Sequence, residues 1–577
     1  MGKIIRFKER VNKGILLVLA ISLLFAMESW AQNSAKTTVK VLENSSTKLR
    51  IQIKPGDYVA ETVYRNKTSF VSAAVEGCGT SKVIGYPALP QYQTLINIPV
   101  CDNFSYKVTK VNEVTMPLHT SGYPLIPAQP SRSKSDKSPV VFAKNAKIYS
   151  QNRFWNPGDA KVEKLGIMRN TTIASLVMCP FSYNPVTGQM KKVTTMEIEI
   201  TFKNPNIQAT NELYSKYKDI YTGNVQSAIL NGNISETKDA HVSGPLHYVI
   251  VSDIAFQSAL QPFVTWKKKQ GYIVTEAYTN NSAVGTTTTS IKAYLKGLYD
   301  NATTVLPAPT FVLFVGDVAQ IPTFTGTTGS HPTDLYYCTW TTGDNLPEAY
   351  YGRFSGTTAQ HITNQVSKTV EYEKYLMADP SFLNNMVAVA GVAENYDVLY
   401  GDGQLNYFVN NYLPNPPFTV YSYPSSVSSQ SSASAAIISK VNAGVSIADY
   451  SAHGSPSGWA DPSFEVSDVA TMTNNGKYPV MIGNCCQSNT FNESSGDCFG
   501  EALLKAQNKG AVGYIGASNY SYWDEDYYFA CGYKTVSVNA AYDATKLGSF
   551  DRLFHTHGEA YSAQYITTGQ ILNAGNL

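Results

Sequence analysis

Two reactive side chains follow two consecutive apolar runs in the second half of the chain. The first run ends at His453-Gly454, and the next ends at Cys485-Cys486. Both runs have the length and composition of buried strands in a parallel sheet, and residues 467–475 between them are long enough for a crossover helix. Neighbouring parallel strands end at the same edge of a sheet, where open α/β folds build their ligand sites. The pattern therefore predicts an imidazole and a thiol that meet and can exchange a proton.

The two adjacent cysteines are expected to have different environments. Because successive side chains of a strand alternate, Cys485 should point to the face opposite Cys486. Taken alone, His453 could be a core residue whose ring binds the backbone. A histidine and a cysteine at adjacent strand ends favour catalysis over that alternative.

The sequence around these residues resembles the gingipains, cysteine peptidases of the caspase-like clan, and among them the lysine-specific type. The resemblance covers nearly the whole chain after its first 31 residues, and its clearest motifs lie at residues 458–462, 482–486, 498–501 and 522–528. It implies that Cys486 is the nucleophile, that His453 is the acid and base, and that peptide bonds are cleaved through a thioester. It also implies that the backbone N–H groups of Gly454 and Cys486 bind the oxyanion.

Gingipains orient the catalytic histidine with a carboxylate at an earlier strand end. Residues 389–395 match that place, which makes Glu394 the candidate, with Asp397 as the competitor if the register differs. Such a carboxylate holds one imidazole tautomer and favours the charged ring. For Glu394 the alternative is an ordinary carboxylate of a surface loop.

The resemblance also implies a pocket for a basic substrate side chain. Asp526 falls where the lysine-specific gingipains place the pocket acid, with Tyr522 and Trp523 just before it, and Ser451 replaces a threonine while keeping a hydroxyl. An acid surrounded by hydroxyls suits a compact lysine ammonium, whereas arginine needs a planar bidentate partner. Physical reasoning alone does not rank Asp526 above the two acids that precede it, Asp524 and Glu525.

Residues 333–337 and 343–348 resemble a calcium loop of the family. Asp344, Glu348 and the carbonyl of Leu346 offer hard oxygen ligands, so the resemblance implies a structural Ca²⁺. An acid expected two residues before Asp344 is Thr342 here, and a plain turn is the alternative. No organic cofactor is expected.

Composition narrows the class of protein. The chain has 577 residues, 43% hydrophobic and 15% charged, which suits roughly two to four globular domains. Its net charge of +2 argues against a nucleic-acid partner. Its eight cysteines lack the spacing of a disulfide framework, so stability is expected to come from apolar cores.

Residues 1–31 have the organisation of an export signal. Basic residues within positions 1–13 precede an apolar run over 15–27 and small residues near position 31. The run is shorter than the about 20 residues of a membrane-spanning helix, which makes an N-terminal anchor the less favoured alternative. No later stretch predicts a transmembrane segment, so the protein is expected to be secreted or at the cell surface.

Residues 32–238 are predicted to form a β-rich unit, most simply an antiparallel sandwich. Segments near 47–53, 94–99, 106–114 and 194–202 have the composition of strands and are separated by turn signals. The unit resembles a gingipain propeptide, although by itself it would also suit an adhesion or carbohydrate-binding module. It ends in a polar linker whose Lys238-Asp239 bond is the expected activation cleavage.

Residues 239–577 alternate strands and helices, as is typical of parallel sheets covered on both faces. The expected fold is therefore α/β: a caspase-like catalytic region of two side-by-side α/β subdomains, at 239–378 and 379–577, preceded by the β-sandwich-like propeptide. The second subdomain carries the His and Cys. Gingipains continue beyond the point that matches the last residues of this chain, so a C-terminal truncation is expected.

One loop of the β-rich unit predicts how the enzyme is kept latent. Residues 131–137 carry Arg132, Lys134 and Lys137 between two prolines, which favours an exposed, extended loop. One of these basic side chains could occupy the acidic pocket and shield the nucleophile, so that the propeptide is the enzyme's own inhibitor. A merely flexible loop is the alternative.

Two functional hypotheses follow. The first is a secreted cysteine endopeptidase, made as a zymogen, that cleaves proteins and peptides after Lys, with Arg or mixed specificity as its variant. The second is a non-catalytic adhesion protein that retains a peptidase-like fold. They differ in the reactivity of Cys486.

Overall fold

The computed structural model of the chain describes residues 36–217, 220–232, 245–341, 343–393, 396–413, 418–559 and 564–576. The predicted export signal, the Lys238-Asp239 bond and Glu394 lie outside these residues. Two structural regions are described: an N-terminal β-rich region up to residue 232 and an α/β region from residue 245.

The N-terminal region consists mainly of antiparallel strands. They are β1 (Thr38–Asn44), β2 (Lys48–Lys54), β3 (Tyr58–Arg65), β4 (Thr68–Val75), β5 (Gly79–Thr80), β6 (Pro90–Asn97), β7 (Asn103–Pro117), β8 (Ala160–Met168), β9 (Thr171–Met178), β10 (Phe181–Asn184) and β11 (Gln189–Lys203). Its helices are α1 (Ala146–Tyr149), α2 (Ile207–Ser215) and α3 (Ile220–Ser227).

These strands form a sandwich with one shared core. One sheet has the order β1-β2-β11-β10, with β7 also paired to β11, and the other has the order β5-β6-β9-β8. Alternate residues of β2 and β11 are buried, which is the period expected of strands with one face on a core. Ile51 and Ile198 of the first sheet belong to the same buried cluster as Ile96 and Leu176 of the second. The predicted sandwich is confirmed.

The second region contains the parallel sheets. Its strands are β12 (Leu246–Ser252), β13 (Tyr272–Tyr278), β14 (Pro309–Val315), β15 (Phe324–Thr325), β16 (Pro332–Thr333), β17 (Tyr350–Phe354), β18 (Asn385–Ala390), β19 (Thr419–Tyr423), β20 (Ile447–Ser451), β21 (Gly454–Ser455), β22 (Gly458–Trp459), β23 (Phe464–Glu465), β24 (Val480–Asn484) and β25 (Gly513–Gly516).

Helices flank these sheets. They are α4 (Gln257–Lys269), α5 (Thr288–Asp300), α6 (Ala359–Glu373), α7 (Asp402–Tyr412), α8 (Ser425–Ser428), α9 (Ala433–Ala443), α10 (Val466–Val469), α11 (Phe499–Lys505), α12 (Trp523–Cys531), α13 (Ser549–Leu553) and α14 (Thr568–Asn576). Short 3₁₀ turns occur at Ile254–Phe256, Leu335–Tyr337 and Pro380–Asn384, and a π turn occurs at Asp397–Gly401. Among the helices that the structure describes, none is both long and apolar enough to cross a membrane.

Two parallel sheets organise this region, as predicted. The first has the order β13-β12-β14-β17 and the second the order β19-β18-β20-β24-β25. Strand β17 was not predicted, and the crossover helix expected over 467–475 is only the single turn α10. Residues 470–475 instead run as turns and coil before β24.

Helices α6 and α11 join the two sheets through buried polar contacts. The Lys505 ammonium of α11 lies 3.4 Å from Asp317, which follows β14, and 3.0 Å from Glu501. Lys368 of α6 donates to the carbonyl of Leu503 at 2.8 Å. Separating the partners of a buried ion pair costs free energy. These contacts therefore resist movement of one sheet relative to the other.

Candidate active site

The ends of β20 and β24 bring the predicted catalytic residues to one edge of the second sheet. The two strands are parallel neighbours, and Ser451 pairs in register with Asn484. His453 lies two residues beyond the first of these positions, and Cys486 two residues beyond the second. Both therefore lie at the rim where the loops of an open α/β sheet diverge.

Gly454 allows these two strand ends to touch. A Cβ atom at this position would lie 2.6 Å from the Cys485 Sγ and 2.9 Å from the Cys486 carbonyl oxygen. No side chain fits at those distances, so only glycine permits this approach. The segment after the histidine is thereby held directly against the two cysteines.

His453 lies in a partly buried position beside an aromatic ring. Its ring meets that of Trp523 edge to face, with centroids 5.5 Å apart. Burial lowers the pKa of His453, while a hydrogen bond with the Lys134 main chain and the Asp461 carboxylate act in the opposite direction. The Tyr450 hydroxyl donates to the His453 carbonyl at 2.7 Å and fixes its backbone. The surroundings favour neutral imidazole, the form that accepts a proton.

Cys486 is buried beneath Ser521. The Ser521 N–H donates to the Cys486 Sγ at 3.4 Å. Burial raises the pKa of the Cys486 thiol, and the hydrogen bonds from Ser521 and the nearby Lys134 ammonium partly oppose that effect. In this form of the chain the thiol is covered, and its raised pKa disfavours the reactive thiolate.

Cys485 has the separate environment that strand alternation predicts. It is fully buried and belongs to the core cluster that contains Tyr450 and Phe499. Burial raises the pKa of its thiol to about 12. Of the two adjacent cysteines, Cys486 is the one beside the pocket residues.

A lysine of the N-terminal region fills the predicted pocket for a basic side chain. The side chain of Lys134 is 0% exposed, and its ammonium lies 2.7 Å from the Asp526 carboxylate. The same ammonium donates to the Asn484 carbonyl at 2.6 Å and to the Ser451 hydroxyl at 3.3 Å. The Trp523 ring lies 4.7 Å away, within the range of a cation–π contact. The pocket thus gives the ammonium two hydrogen-bond acceptors and one counter-charge.

The structure separates the three consecutive acids that sequence reasoning left unranked. Asp526 contacts the buried ammonium, as described above. Asp524 accepts the Tyr400 hydroxyl at 2.7 Å, and Glu525 is exposed at the rim, where the Ser131 hydroxyl donates to it at 2.6 Å. The start of helix α12 directs successive side chains about 100° apart, so only one of the three faces the pocket.

The segment that carries Lys134 pairs briefly with the pocket rim and then turns back. The Lys134 N–H donates to the Ser521 carbonyl at 2.9 Å, and the Trp523 N–H donates to the Arg132 carbonyl at 3.1 Å. Ser133 and the half-exposed Tyr522 form an antiparallel bridge. This pairing is the backbone geometry of an added strand.

A tight turn follows immediately after this pairing. The Asp136 N–H donates to the Ser133 carbonyl at 3.1 Å, which places Lys134 and Ser135 at the centre of the turn. The guanidinium of Arg132 closes the turn by donating to the carbonyls of Asp136, at 2.9 Å, and Ser138. Of the three basic residues of the loop, Lys134 enters the pocket, Arg132 stabilises the turn through hydrogen bonds, and Lys137 is exposed.

Sequence reasoning missed several groups of the site. The Asn484 carbonyl is a main-chain acceptor, and main-chain groups have no sequence signature. Gln404 donates to the Ser451 hydroxyl at 3.0 Å from helix α7. Ser521 covers Cys486. The Asp461 carboxylate, in the loop after β22, raises the pKa of His453. The position of Asn484 at a strand end beside the motif marks the place, but not the role of its carbonyl.

The orienting carboxylate stays a prediction. Glu394 lies outside the described residues. Asp397 begins the π turn before α7, where its Oδ1 accepts the N–H of Val398 at 2.9 Å.

The predicted calcium ligands lie close together on the loop before β17. The Thr341 hydroxyl is 2.8 Å from Asp344 Oδ2 and 2.7 Å from Glu348 Oε1. Burial raises the pKa of Glu348 to about 7. Two neighbouring carboxylates around one hydroxyl suit a hard cation. Since no group of three or more His, Cys, Asp or Glu suited to a metal occurs within the described residues, further ligands would be carbonyls such as that of Leu346.

Comparison with known proteins agrees with this geometry. The model for Peptidase family C25 matches residues 241–577, and the model Propeptide_C25 matches residues 29–232. Lys-gingipain HG66 of Porphyromonas gingivalis is 34% identical over 574 residues, which are 98% of this chain and 32% of that protein. Gingipain R1 of the same species is 24% identical over 518 residues, which are 87% of this chain and 50% of that protein.

A solved protease structure is also similar to this chain. The one described as "Structure of Protease" has a TM-score of 0.53 and 33% sequence identity, and the match covers 62% of this chain and 74% of that one. The present chain spans about a third of the length of the lysine-type relatives it matches. Because the Peptidase family C25 model matches more than half of the chain, the protein belongs to that family of gingipain-type cysteine peptidases.

Proposed function

We propose that this chain is the zymogen of a secreted cysteine endopeptidase that cleaves peptide bonds after lysine. The observation that carries the proposal is the Lys134 ammonium, fully buried against Asp526 beside the strand ends that bear His453 and Cys486. A pocket that already holds one lysine side chain has the shape and charge to bind that of a substrate.

The proposed chemistry uses the two strand ends in sequence. His453 takes the proton of Cys486, and the thiolate attacks the carbonyl carbon after the bound lysine. The N–H groups of Gly454 and Cys486 bind the oxyanion, with Glu394 or Asp397 orienting the imidazole. His453 then gives its proton to the leaving amine as the C–N bond breaks, and water hydrolyses the thioester with His453 as base.

The acceptors of the pocket favour lysine over arginine. The oxygens of Asp526, Asn484 and Ser451 converge on a single nitrogen. A guanidinium spreads five N–H groups over a plane and needs a bidentate partner, which one carboxylate behind a compact ammonium site does not provide. We therefore infer a lysine preference, with arginine as the weaker substrate.

Three further elements belong to the proposal. Residues 1–31 direct export, cleavage at Lys238-Asp239 separates the N-terminal region, and Asp344, Glu348 and the Leu346 carbonyl hold a structural Ca²⁺. Asp344 also accepts the N–H of Ile167 in β8 at 3.0 Å. The proposed metal loop and the propeptide thus share a contact.

The loop around Lys134 acts as an inhibitor rather than a substrate. Its lysine binds as a substrate would, but the bond after it lies inside a closed turn, not in an extended chain. Peptide bonds held in a turn cannot present their carbonyl in the geometry of attack. Arg132 maintains this geometry through its two carbonyl contacts.

Alkylation tests the catalytic proposal directly. In the processed protein, iodoacetamide or a lysyl chloromethylketone should label Cys486 and abolish cleavage of lysyl peptides, because the thiolate is the nucleophile. The Cys486→Ala variant should be inactive, whereas the matched variant of its neighbour, Cys485→Ala, should still react with the label. Peptide mapping locates the labelled residue. Labelling of another cysteine, or of none, would favour a non-catalytic adhesion protein.

Asp526→Ala tests the pocket. Loss of the carboxylate leaves a bound ammonium buried without its partner, so kcat/KM on lysyl peptides should fall by about 100-fold or more. Asp524→Ala is the matched control on the same helix turn and should change kcat/KM much less. Steady-state assays with lysyl and arginyl substrates measure both. An equal loss on both substrates would indicate a mixed pocket, and no loss on either would mean that another acid recognises the basic residue.

Lys134→Ala tests inhibition by the loop. In the unprocessed chain, removal of this side chain opens the pocket. We expect the gain in access to outweigh the loss of the ammonium that lowers the pKa of Cys486, so iodoacetamide should alkylate the thiol about tenfold faster. Lys137→Ala removes an exposed lysine of the same loop and should leave the rate unchanged. Mass spectrometry over a time course gives the rates. Equal alkylation rates for both variants would refute inhibition by Lys134. They would not affect the peptidase assignment.

Arg132→Ala tests why the loop resists cleavage. Without its two carbonyl contacts the turn should relax, and the active site should cut the bond between Lys134 and Ser135. N-terminal sequencing would then detect a fragment that begins at Ser135, absent from the wild-type chain. A double variant that also carries Cys486→Ala should give no such fragment. An intact loop in Arg132→Ala would mean that other contacts hold the turn.

A further inference from the structure

A second carboxylate lies behind the lysine pocket. Asp449 is in β20, two residues before Ser451, and therefore points to the same face of the sheet. It is 4% exposed. Its Oδ1 has no hydrogen-bond partner among the described residues. A buried carboxylate oxygen without a hydrogen bond is costly, so its presence here requires an explanation.

The cavity beside Asp449 is lined mainly by apolar side chains. Its volume is about 10 Å³, which is the room that one water molecule needs. Ala388, Leu405, Phe408 and Phe550 line the cavity, and its polar lining comes from Asp449 itself, Gln404 and Ser451.

The Ser451 hydroxyl connects this cavity to the bound lysine. It accepts one hydrogen bond from the Lys134 ammonium and one from the Gln404 amide. A hydroxyl has two acceptor positions and one hydrogen to donate. Both acceptor positions are used, and within hydrogen-bond distance no group of the described residues accepts the hydroxyl hydrogen. A water molecule in the cavity would accept that hydrogen and donate to Asp449.

We propose that Asp449 is a second acid of the lysine pocket, a positioning residue that acts on the bound ammonium through Ser451 and one water molecule. Asp526 neutralises the ammonium directly, and Asp449 polarises the Ser451 oxygen toward it. The inference rests on the proposed function, because it assigns Asp449 to the recognition of a basic substrate residue.

The electrostatics of Asp449 agree with this role. Burial raises its pKa to about 7, the Lys134 ammonium lowers it, and the Asp526 carboxylate raises it. Cys531 is a further titratable neighbour of Asp449, and the Asp449 carboxylate raises the pKa of the Cys531 thiol. A cation in the pocket thus favours ionised Asp449, and by linkage ionised Asp449 favours the cation. Near neutral pH, entry of a lysine side chain should release a proton from Asp449.

The first test compares substrates with and without the positive charge. In the enzyme processed from the full chain, Asp449→Asn keeps the shape of the side chain but cannot ionise. KM for a lysyl peptide should rise by about three- to tenfold, while KM for the norleucyl analogue, which lacks the ammonium, should not change. A merely structural role would alter both substrates equally. Equal changes, or none on either, would overturn the proposal.

Coupling to Ser451 gives a second kinetic readout. In a Ser451→Ala background the path to the ammonium is broken, so adding Asp449→Asn should cause no further rise in KM for the lysyl peptide. Additive effects of the two substitutions would contradict the path through Ser451. A melting curve of each variant establishes that it is folded. If Asp526→Ala weakens lysyl binding and Asp449→Asn does not, this inference fails while the proposed function stands.

Proton release gives a readout independent of turnover. Titration calorimetry with a lysyl aldehyde at pH 7, in two buffers of different ionisation enthalpy, measures the protons released on binding. The processed wild-type enzyme should release more protons than Asp449→Asn, and the norleucyl aldehyde should abolish the difference. The same number of protons from both proteins would refute ionisation of Asp449 on binding.

Discussion

The pairing of β20 with β24 is the constraint on which the whole site depends. A slip of one residue would turn Asp449 and Ser451 away from the pocket, because the side chains of a strand alternate between two faces. The core behind the strands resists such a slip: the buried rings of Tyr450 and Trp459 stack with centroids 4.7 Å apart. The Tyr450 hydroxyl then bonds to the His453 carbonyl, so the same core that sets the register also fixes the loop bearing the histidine.

The pocket resolves a conflict between charge and burial. An ammonium removed from water loses its hydration, which is tolerated only when every N–H finds an acceptor and a counter-charge is near. For Lys134, Asn484 and Ser451 accept hydrogen bonds, Asp526 supplies the counter-charge at 2.7 Å, and the Trp523 ring adds a cation–π contact. In the proposed function a substrate lysine would meet the same demands as Lys134, so one set of contacts would serve both latency and recognition.

The N-terminal sandwich is the frame that carries the Lys134 loop to the pocket. Its contacts with the α/β region lie well apart in the sequence: the Cys78 carbonyl accepts the N–H of Thr535 at 3.2 Å, and the Ile167 N–H binds Asp344. Close packing also matters, since a Cβ atom at Gly79 would lie 2.7 Å from the Tyr533 ring. A single loop contact would bind weakly, whereas several contacts on one folded frame add to the affinity without further loss of freedom.

Local patterns in the sequence determined much of this protein. The alternation of strands and helices, the sandwich before it, and His453 and Cys486 at adjacent strand ends all follow from periodicity and from residue types that are read over short distances. The tertiary structure decided what depends on the orientation of distant elements. The start of α12 selects Asp526 from three consecutive acids, and the turn held by Arg132 selects Lys134 from three basic residues. The Asn484 carbonyl, the Gln404 amide and the buried Asp449 carboxylate could not be read from the sequence, because a main-chain oxygen has no residue code and a polar side chain becomes part of a pocket only when folding places it beside one.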